Sequence, residues 1–285
     1  MGTDAVLRRL ATRRGYQLVR DDFNSPIPNA WRPELWENPA PLPGIDLRLD
    51  AAEVLLGELA PLIREYAIPD PPGATKHGYL AGNNMYPQVD AEILYAMLRA
   101  RRPQRLLEIG AGWSTRVVAD ALDANAGQGA ATEGHRIFDP FPADHLRSLD
   151  AEVEAVPAER IPWAAFEELA RGDVLFIDTT HTVKPGNDVV RLILEVIPRL
   201  ATGITVHIHD VFLPYCYPRF MFEGGFHWQE QYLVQALLAG NPALRVVMPT
   251  YALFRDRPGA IEAAVPGMTS HVLGSGFWVE TVDTA

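Results

Sequence analysis

Three short stretches of this chain carry residue types that can hold a ligand or move a proton. The first, Leu106-Leu107-Glu108-Ile109-Gly110-Ala111-Gly112-Trp113-Ser114-Thr115, is an apolar run that ends in a glycine turn. Gly110 and Gly112 let the backbone come close to a ligand, and a helix opening at the turn would aim its free amides and positive dipole end at it. The second, Val174-Leu175-Phe176-Ile177-Asp178-Thr179-Thr180-His181, leads an apolar run into an acid and, three residues on, a histidine. The third is His207-Ile208-His209-Asp210. If the runs are parallel strands, both acids stand at their carboxyl ends, the edge where open α/β sheets bind ligands.

Each stretch also admits a plain structural reading. His-x-His-Asp can be a hydrogen-bonded cluster, and Asp178 can cap the following helix. Asp139, in Phe138-Asp139-Pro140-Phe141-Pro142, is either a ligand-facing acid or a turn acid before proline. Glu108 is a charge inside an apolar run, which favours function over a surface role. The nicotinamide fingerprint wants a third glycine where Thr115 stands, and the lysine of a phosphate-binding loop is missing, so dinucleotide binding and ATP hydrolysis are disfavoured.

The elements that must position these residues follow from hydrophobic spacing. Apolar runs at 105–109, 135–138, 152–156, 174–177, 204–208, 244–248 and 276–279 predict seven strands. Helical patterns fall at 90–100, 115–122, 163–169, 187–199 and 228–239 between them, with 124–134 as a loop. Alternation of this kind predicts an α/β fold, a mostly parallel sheet covered on both faces. No strong helix separates the last two runs, which predicts an antiparallel edge hairpin. Upstream, 4–18 and 51–66 read as helices, the latter with Leu55, Leu56, Leu59, Leu62 and Ile63 on one stripe. The breaker Pro69-Asp70-Pro71-Pro72-Gly73 then suggests an accessory region, 1–75, ahead of a main domain, 76–285.

Composition narrows the function. The 285 residues, 48% hydrophobic, suffice for one substantial core. A formal net charge of -11 argues against gripping nucleic acid phosphates or anionic lipid. The one cysteine, Cys216, excludes an internal disulfide and reads as a packed thiol between Tyr215 and Tyr217. No run approaches a membrane span or a signal sequence, so a cytoplasmic protein is expected. The N-terminal helices offer a surface for a homo-oligomer.

With these motifs in view, Glu108-x-Gly110-x-Gly112 after an apolar strand resembles the first motif of class I S-adenosylmethionine-dependent methyltransferases. The stretch from Gly82-Asn83-Asn84-Met85-Tyr86 to Gly276-Phe277-Trp278 is similar to a bacterial group of small-molecule methyltransferases in that class. The resemblance implies a Rossmann-like methyltransferase fold. It also implies that S-adenosylmethionine contacts Glu108, Gly110, Ala111, Gly112, Ser114, Thr115, Pro140 and Asp178, with Asp139 accepting from the ribose hydroxyls. Tyr79, Asn83, Asn84 and Tyr86 are expected to close over cofactor or substrate, or else to form a polar linker.

The second and third stretches are similar to catechol-type and macrolide-sugar O-methyltransferases. There the pattern implies a divalent metal on Asp178, His209 and Asp210, with His181 as general base and Asp178 beside it. Imidazole suits zinc, iron, manganese or nickel better than magnesium, which leaves the metal's identity open. His207 shares a strand face with His209 and is expected beneath it, while Lys184 and Asp188 read as loop and helix-start residues.

The resulting expectation is methyl transfer to a hydroxyl, or less readily an amine, of a small molecule such as a secondary metabolite. Two rivals remain: a metal-dependent hydroxylase similar to cephalosporin hydroxylase, and a protein that binds the cofactor without catalysis.

Overall fold

The computed structural model describes residues 3–27, 32–66, 68, 74–265 and 274–284. Seven strands form one sheet: β1 (Arg105–Ile109), β2 (Gly134–Phe138), β3 (Glu152–Glu154), β4 (Val174–Ile177), β5 (Thr205–Ile208), β6 (Leu244–Pro249) and β7 (Phe277–Thr281). Their order is β3-β2-β1-β4-β5-β7-β6, with β7 antiparallel to both neighbours and the other pairs parallel. The expected α/β, Rossmann-like methyltransferase fold is therefore the one adopted.

The helices are α1 (Thr3–Arg13), α2 (Pro33–Trp36), α3 (Leu49–Glu65), α4 (Gln88–Arg101), α5 (Trp113–Gly127), α6 (Trp163–Glu167), α7 (Asp188–Arg191), α8 (Arg219–Glu223), α9 (Glu230–Leu238), α10 (Thr250–Asp256) and α11 (Pro258–Ala264). Strand alternation divides the core. Leu106, Val174 and Phe176 join the side chains of α3, α4, α5 and α11 on one face. Leu107, Ile109, Leu175, Ile177, Val206 and Ile208 join those of α6, α7 and α9 on the other. Because β1, β4 and β5 are covered on both sides, they are buried almost throughout and are mostly apolar.

Several boundaries differ from expectation for identifiable reasons. Helix α1 stops at Arg13 because Gly15, at φ 80°, turns the chain there. Helix α5 continues to Gly127, through residues read as loop, because the buried Asn125 anchors its last turn to the Leu98 carbonyl and to Arg99. β6 and β7 do pair antiparallel, but α10 and α11 lie between them in place of a hairpin turn. The helix expected over 187–199 is α7 followed by a π turn (Leu192–Val196) and a 3-10 turn (Ile197–Arg199), the last containing Pro198. The Pro69–Gly73 breaker lies outside the described residues. On its N-terminal side, α3 buries Leu56, Leu59 and Ile63 in the same core as α4 and β1.

The chain reverses direction of travel across the sheet between β1 and β4, which makes their carboxyl ends the crevice of the fold. Gly110 stands at that point with φ 87°, and a Cβ placed on it would lie 1.8 Å from the Asp178 carbonyl oxygen. Two backbones thus meet where no side chain fits. Gly110→Ala should lower unfolding free energy by about 3 kcal/mol or more, from overpacking and left-handed strain combined. Chemical denaturation is the check, and an unchanged midpoint would contradict this packing.

Candidate functional site

The glycine turn is fixed from below by groups that never reach the crevice. Glu108 is fully buried; its Oε1 accepts the Thr115 hydroxyl at 2.5 Å, and its Oε2 lies 3.1 Å from His135 Nε2. The Thr115 hydroxyl oxygen in turn accepts the Gly112 N–H at 3.0 Å. Glu108 and Thr115, expected to touch the cofactor, instead brace the turn that would. Tyr79 is likewise buried, donating its hydroxyl to the Tyr86 carbonyl, and Asn83 folds the same loop through bonds to Leu80, Met85 and Tyr86.

Above this support lies a cavity of 1810 Å³. Gly110, Ala111, Gly112, Ser114, Asp139, Pro140 and Asp178 line it, as do Asn84, Tyr86, His181, His209 and Asp210. Asp139 ties the end of β2 to the turn: its Oδ2 accepts the Ala111 N–H at 3.0 Å and its Oδ1 the Phe141 N–H at 2.6 Å. Each oxygen keeps a second lone pair for an outside donor. A Cβ on Gly112 would meet no protein atom, so the space beside it is free for a ligand.

Across the crevice, β4 and β5 end in a knot of acids and imidazoles. His181 Nε2 is 3.3 Å from Asp178 Oδ1 and 3.6 Å from Asp210 Oδ2, and its Nδ1 is 2.8 Å from Glu230 Oε2. Glu230 opens α9 and is fully buried, as is Asp90 at the start of α4. Asp90 accepts the backbone amides of Ser275 and Gly276, and the Ser275 hydroxyl donates to Asp210 at 2.8 Å. The knot is thereby anchored to two helices and to the segment that precedes β7.

Backbone geometry marks the same place. Among the described residues, four other than glycine have positive φ, and two of these are His181 (55°) and Asp210 (56°). A left-handed conformation costs a side-chain-bearing residue on the order of 1–2 kcal/mol. The surroundings impose it: the His181 carbonyl accepts the amides of Gln229 and Glu230, and Trp228 packs on its ring at 4.4 Å. Asp188 accepts the Thr180 amide and hydroxyl, closing the Asp178–His181 turn from the other side and fitting the expected helix-start role.

Glu230 and Asp90 were invisible to motif reading. An acid in a helix's first turn is ordinary, and only total burial distinguishes these two. The remaining histidines differ in role. His209 stacks on Tyr86 at 4.6 Å and faces the cavity, whereas His207 lies behind it between Phe176 and Trp278, each 4.5 Å away. Burial, reinforced by the neighbouring His209, holds His207 well below the usual histidine pKa and so keeps it neutral. Burial also opposes charge on His209, but Asp210, Asp178 and Asp90 together raise its pKa.

The expected metal set, Asp178, His209 and Asp210, does not converge. Among the described residues no three such groups are disposed to hold an ion. The two carboxylates turn to His181, and His209 Nε2 stays 3.8 Å from Asp210 Oδ1. An imidazole therefore stands where the carboxylates converge, and the donor set does not fit a metal seat.

Burial works against an imidazolium at His181, yet hydrogen bonds to Asp178 and Glu230 and the charges of Glu230 and Asp210 push its pKa well above the ordinary value. Stability supplied by this imidazolium is present below the unfolded histidine's pKa and is lost as pH rises through the folded one. Glu230→Gln keeps an acceptor at Nδ1 but removes a charge, so it should bring the His181 titration down toward the normal range. NMR titration of the ring protons reads this directly; an unmoved curve would mean that Glu230 does not govern His181.

Comparison with known proteins adds an independent finding. Residues 107–211 match the model of a family described as a methyltransferase domain. No curated relative matches the chain. Among solved structures, the chain is similar to the methyltransferase PaMTH1 of Podospora anserina bound to S-adenosylhomocysteine, at 16% identity over 80% of this chain and 88% of that one, with a TM-score of 0.43. It is also similar to the O-methyltransferase TomG of Streptomyces achromogenes, at 15% identity over 100% of both chains, TM-score 0.39. The family match runs from within β1 to just past β5 and so contains the glycine turn and both acid-bearing strand ends; over these residues the chain is similar to a methyltransferase domain.

Proposed function

We propose that the protein transfers the methyl group of S-adenosylmethionine to a hydroxyl of a small molecule, with His181 as the base and Glu230 as the residue that positions it. The observation that carries this reading is His181 itself, held through Nδ1 by Glu230 with Nε2 turned to the cavity acids Asp178 and Asp210. Gly110, Ala111, Gly112 and Ser114 supply the wall and open space for the donor, and Asp139 the acceptors for its ribose hydroxyls. The acids of the knot also favour a ligand whose sulfur is positively charged.

The chemistry asks little more than alignment and proton removal. The acceptor oxygen attacks the methyl carbon in line with the departing sulfur, an O–C bond forms, and the C–S bond breaks to leave a neutral thioether. The hydroxyl proton goes to His181 Nε2, while the Nδ1–H stays on Glu230 and fixes the tautomer. Because the neighbouring carboxylates favour the protonated ring, turnover should rise with pH toward the alkaline side. A sulfonium bound nearby opposes that preference and helps free the base.

Glu108, Thr115 and Tyr79 contribute through the shape of the walls, and Asn84 and Tyr86 through direct lining. No step in this reading passes through a metal, since the expected ligands are engaged with His181.

The test is calorimetry with S-adenosylhomocysteine followed by transfer assays. Binding of that compound should be observed and should survive His181→Ala, while transfer falls by about 100-fold or more, the usual share of a positioned base. Transfer should persist in excess chelator. Absence of binding would overturn the methyltransferase reading, an unaltered rate in the variant would remove His181 as base, and chelator-sensitive transfer would return the metal to the mechanism.

A further inference from the structure

The cavity is larger than its donor requires, and the excess has a distinct character. Pockets for single drug-sized ligands run to about 300–1,000 Å³, against the 1810 Å³ found here. The space exceeds what one such ligand fills. The wall away from the glycine turn is built from 212–228, the segment between β5 and α9, and it supplies Phe212, Phe220, Met221, Phe226 and Trp228 to the lining.

Two of these side chains run in contact to the base. Phe226 lies 5.1 Å from Trp228 and Trp228 4.4 Å from His181. Among the lining side chains Phe220 and Phe226 are 56% and 50% exposed, and Met85 is 75% exposed. Large apolar groups left partly in water along a cavity wall mark a surface that another apolar body covers. Beneath them the segment is firmly built: Tyr217 packs on both Phe212 and Trp228, and Gln231 bonds the Phe212 amide and the Tyr215 carbonyl. The aromatic wall is a formed surface.

Charge separates acceptor classes in the same cavity. Its described lining includes two cationic side chains, Arg160 and Lys184, while Asp178 and Asp210 flank His181. An acceptor bearing phosphate or carboxylate beside its hydroxyl would be repelled at the reacting end. A sugar would leave its many hydroxyls unmatched against aromatic rings.

Resting on the methyltransferase reading above, we infer that the acceptor is a fused or multi-ring aromatic alcohol, uncharged near its reacting hydroxyl, whose ring plane lies against Trp228 and Phe226 and directs the hydroxyl to His181 Nε2. Stacking of rings adds attraction beyond the area covered and would orient the oxygen along the line of transfer.

The experiment uses the full chain saturated with S-adenosylhomocysteine and titrates 2-naphthol, phenol and methyl glucoside by calorimetry, with S-adenosylhomocysteine affinity measured first. 2-Naphthol should bind at least tenfold tighter than phenol, with no measurable uptake of the glucoside. Phe226→Ala and Phe220→Ala alter half-exposed side chains and should fold normally; each should weaken 2-naphthol at least fivefold and leave S-adenosylhomocysteine affinity as it was. Equal binding of phenol and 2-naphthol, no binding of either, or indifference to both substitutions would overturn the aromatic slot. Binding of 2-naphthol by a protein that fails to bind S-adenosylhomocysteine would support the slot while overturning the methyltransferase reading, which keeps the two failures apart.

Discussion

The structure turns on one interaction: the imidazole of His181 lodged among Asp178, Asp210 and Glu230 where two parallel strands end. Each partner arrives from a different element. Asp178 follows β4, Asp210 follows β5, and Glu230 opens α9. Glu230 is fully buried and Asp178 and Asp210 are partly so, which is costly unless a cation meets them, and His181 is placed to be that cation. The left-handed backbone at His181 and Asp210 is the local cost of convergence, tolerated because the amides of Gln229 and Glu230 and the hydroxyl of Ser275 hold both residues in place.

That constraint propagates into the cofactor side of the crevice. Asp178 contributes its carboxylate to the knot and its carbonyl to the close approach of Gly110, so one residue fixes the spacing between His181 and the glycine turn. Glu108, Thr115 and Asp139 then set the turn's shape from within. The arrangement resembles two rigid jaws joined at the β1 and β4 ends. A donor on one jaw and an acceptor on the other would be held in line without large movement of the backbone.

Much of this was legible in the residues. All seven strands overlap the runs expected, the central ones most plainly, because strands covered on both faces are mostly apolar. The glycine turn and the acids at 139, 178 and 210 were visible because strand ends in an open sheet have a known relation to ligands. What escaped were long-range pairings. Glu230 lies 49 residues from His181, and nothing in its type or neighbours distinguishes it from any acid that opens a helix. Asp90 escaped likewise, since its partners Ser275 and Gly276 lie far along the chain. Glu108 shows the converse: a charge within an apolar run suggests a ligand-facing acid, but strand alternation turns it into the α4 and α5 side, where Thr115 and His135 satisfy it. Metal-ligand spacing has the same limit, because it gives candidate ligands but does not show that the carboxylates of Asp178 and Asp210 face the His181 imidazole.

The most direct measurement is a crystal structure of the protein with S-adenosylhomocysteine bound. The thioether sulfur should lie over Gly110–Gly112, the ribose hydroxyls should reach Asp139, and the vacant methyl direction should point toward His181 Nε2, with the His181–Glu230 bond intact. A sulfur pointing away from His181, or a His181 ring released from Glu230, would contradict the central claim.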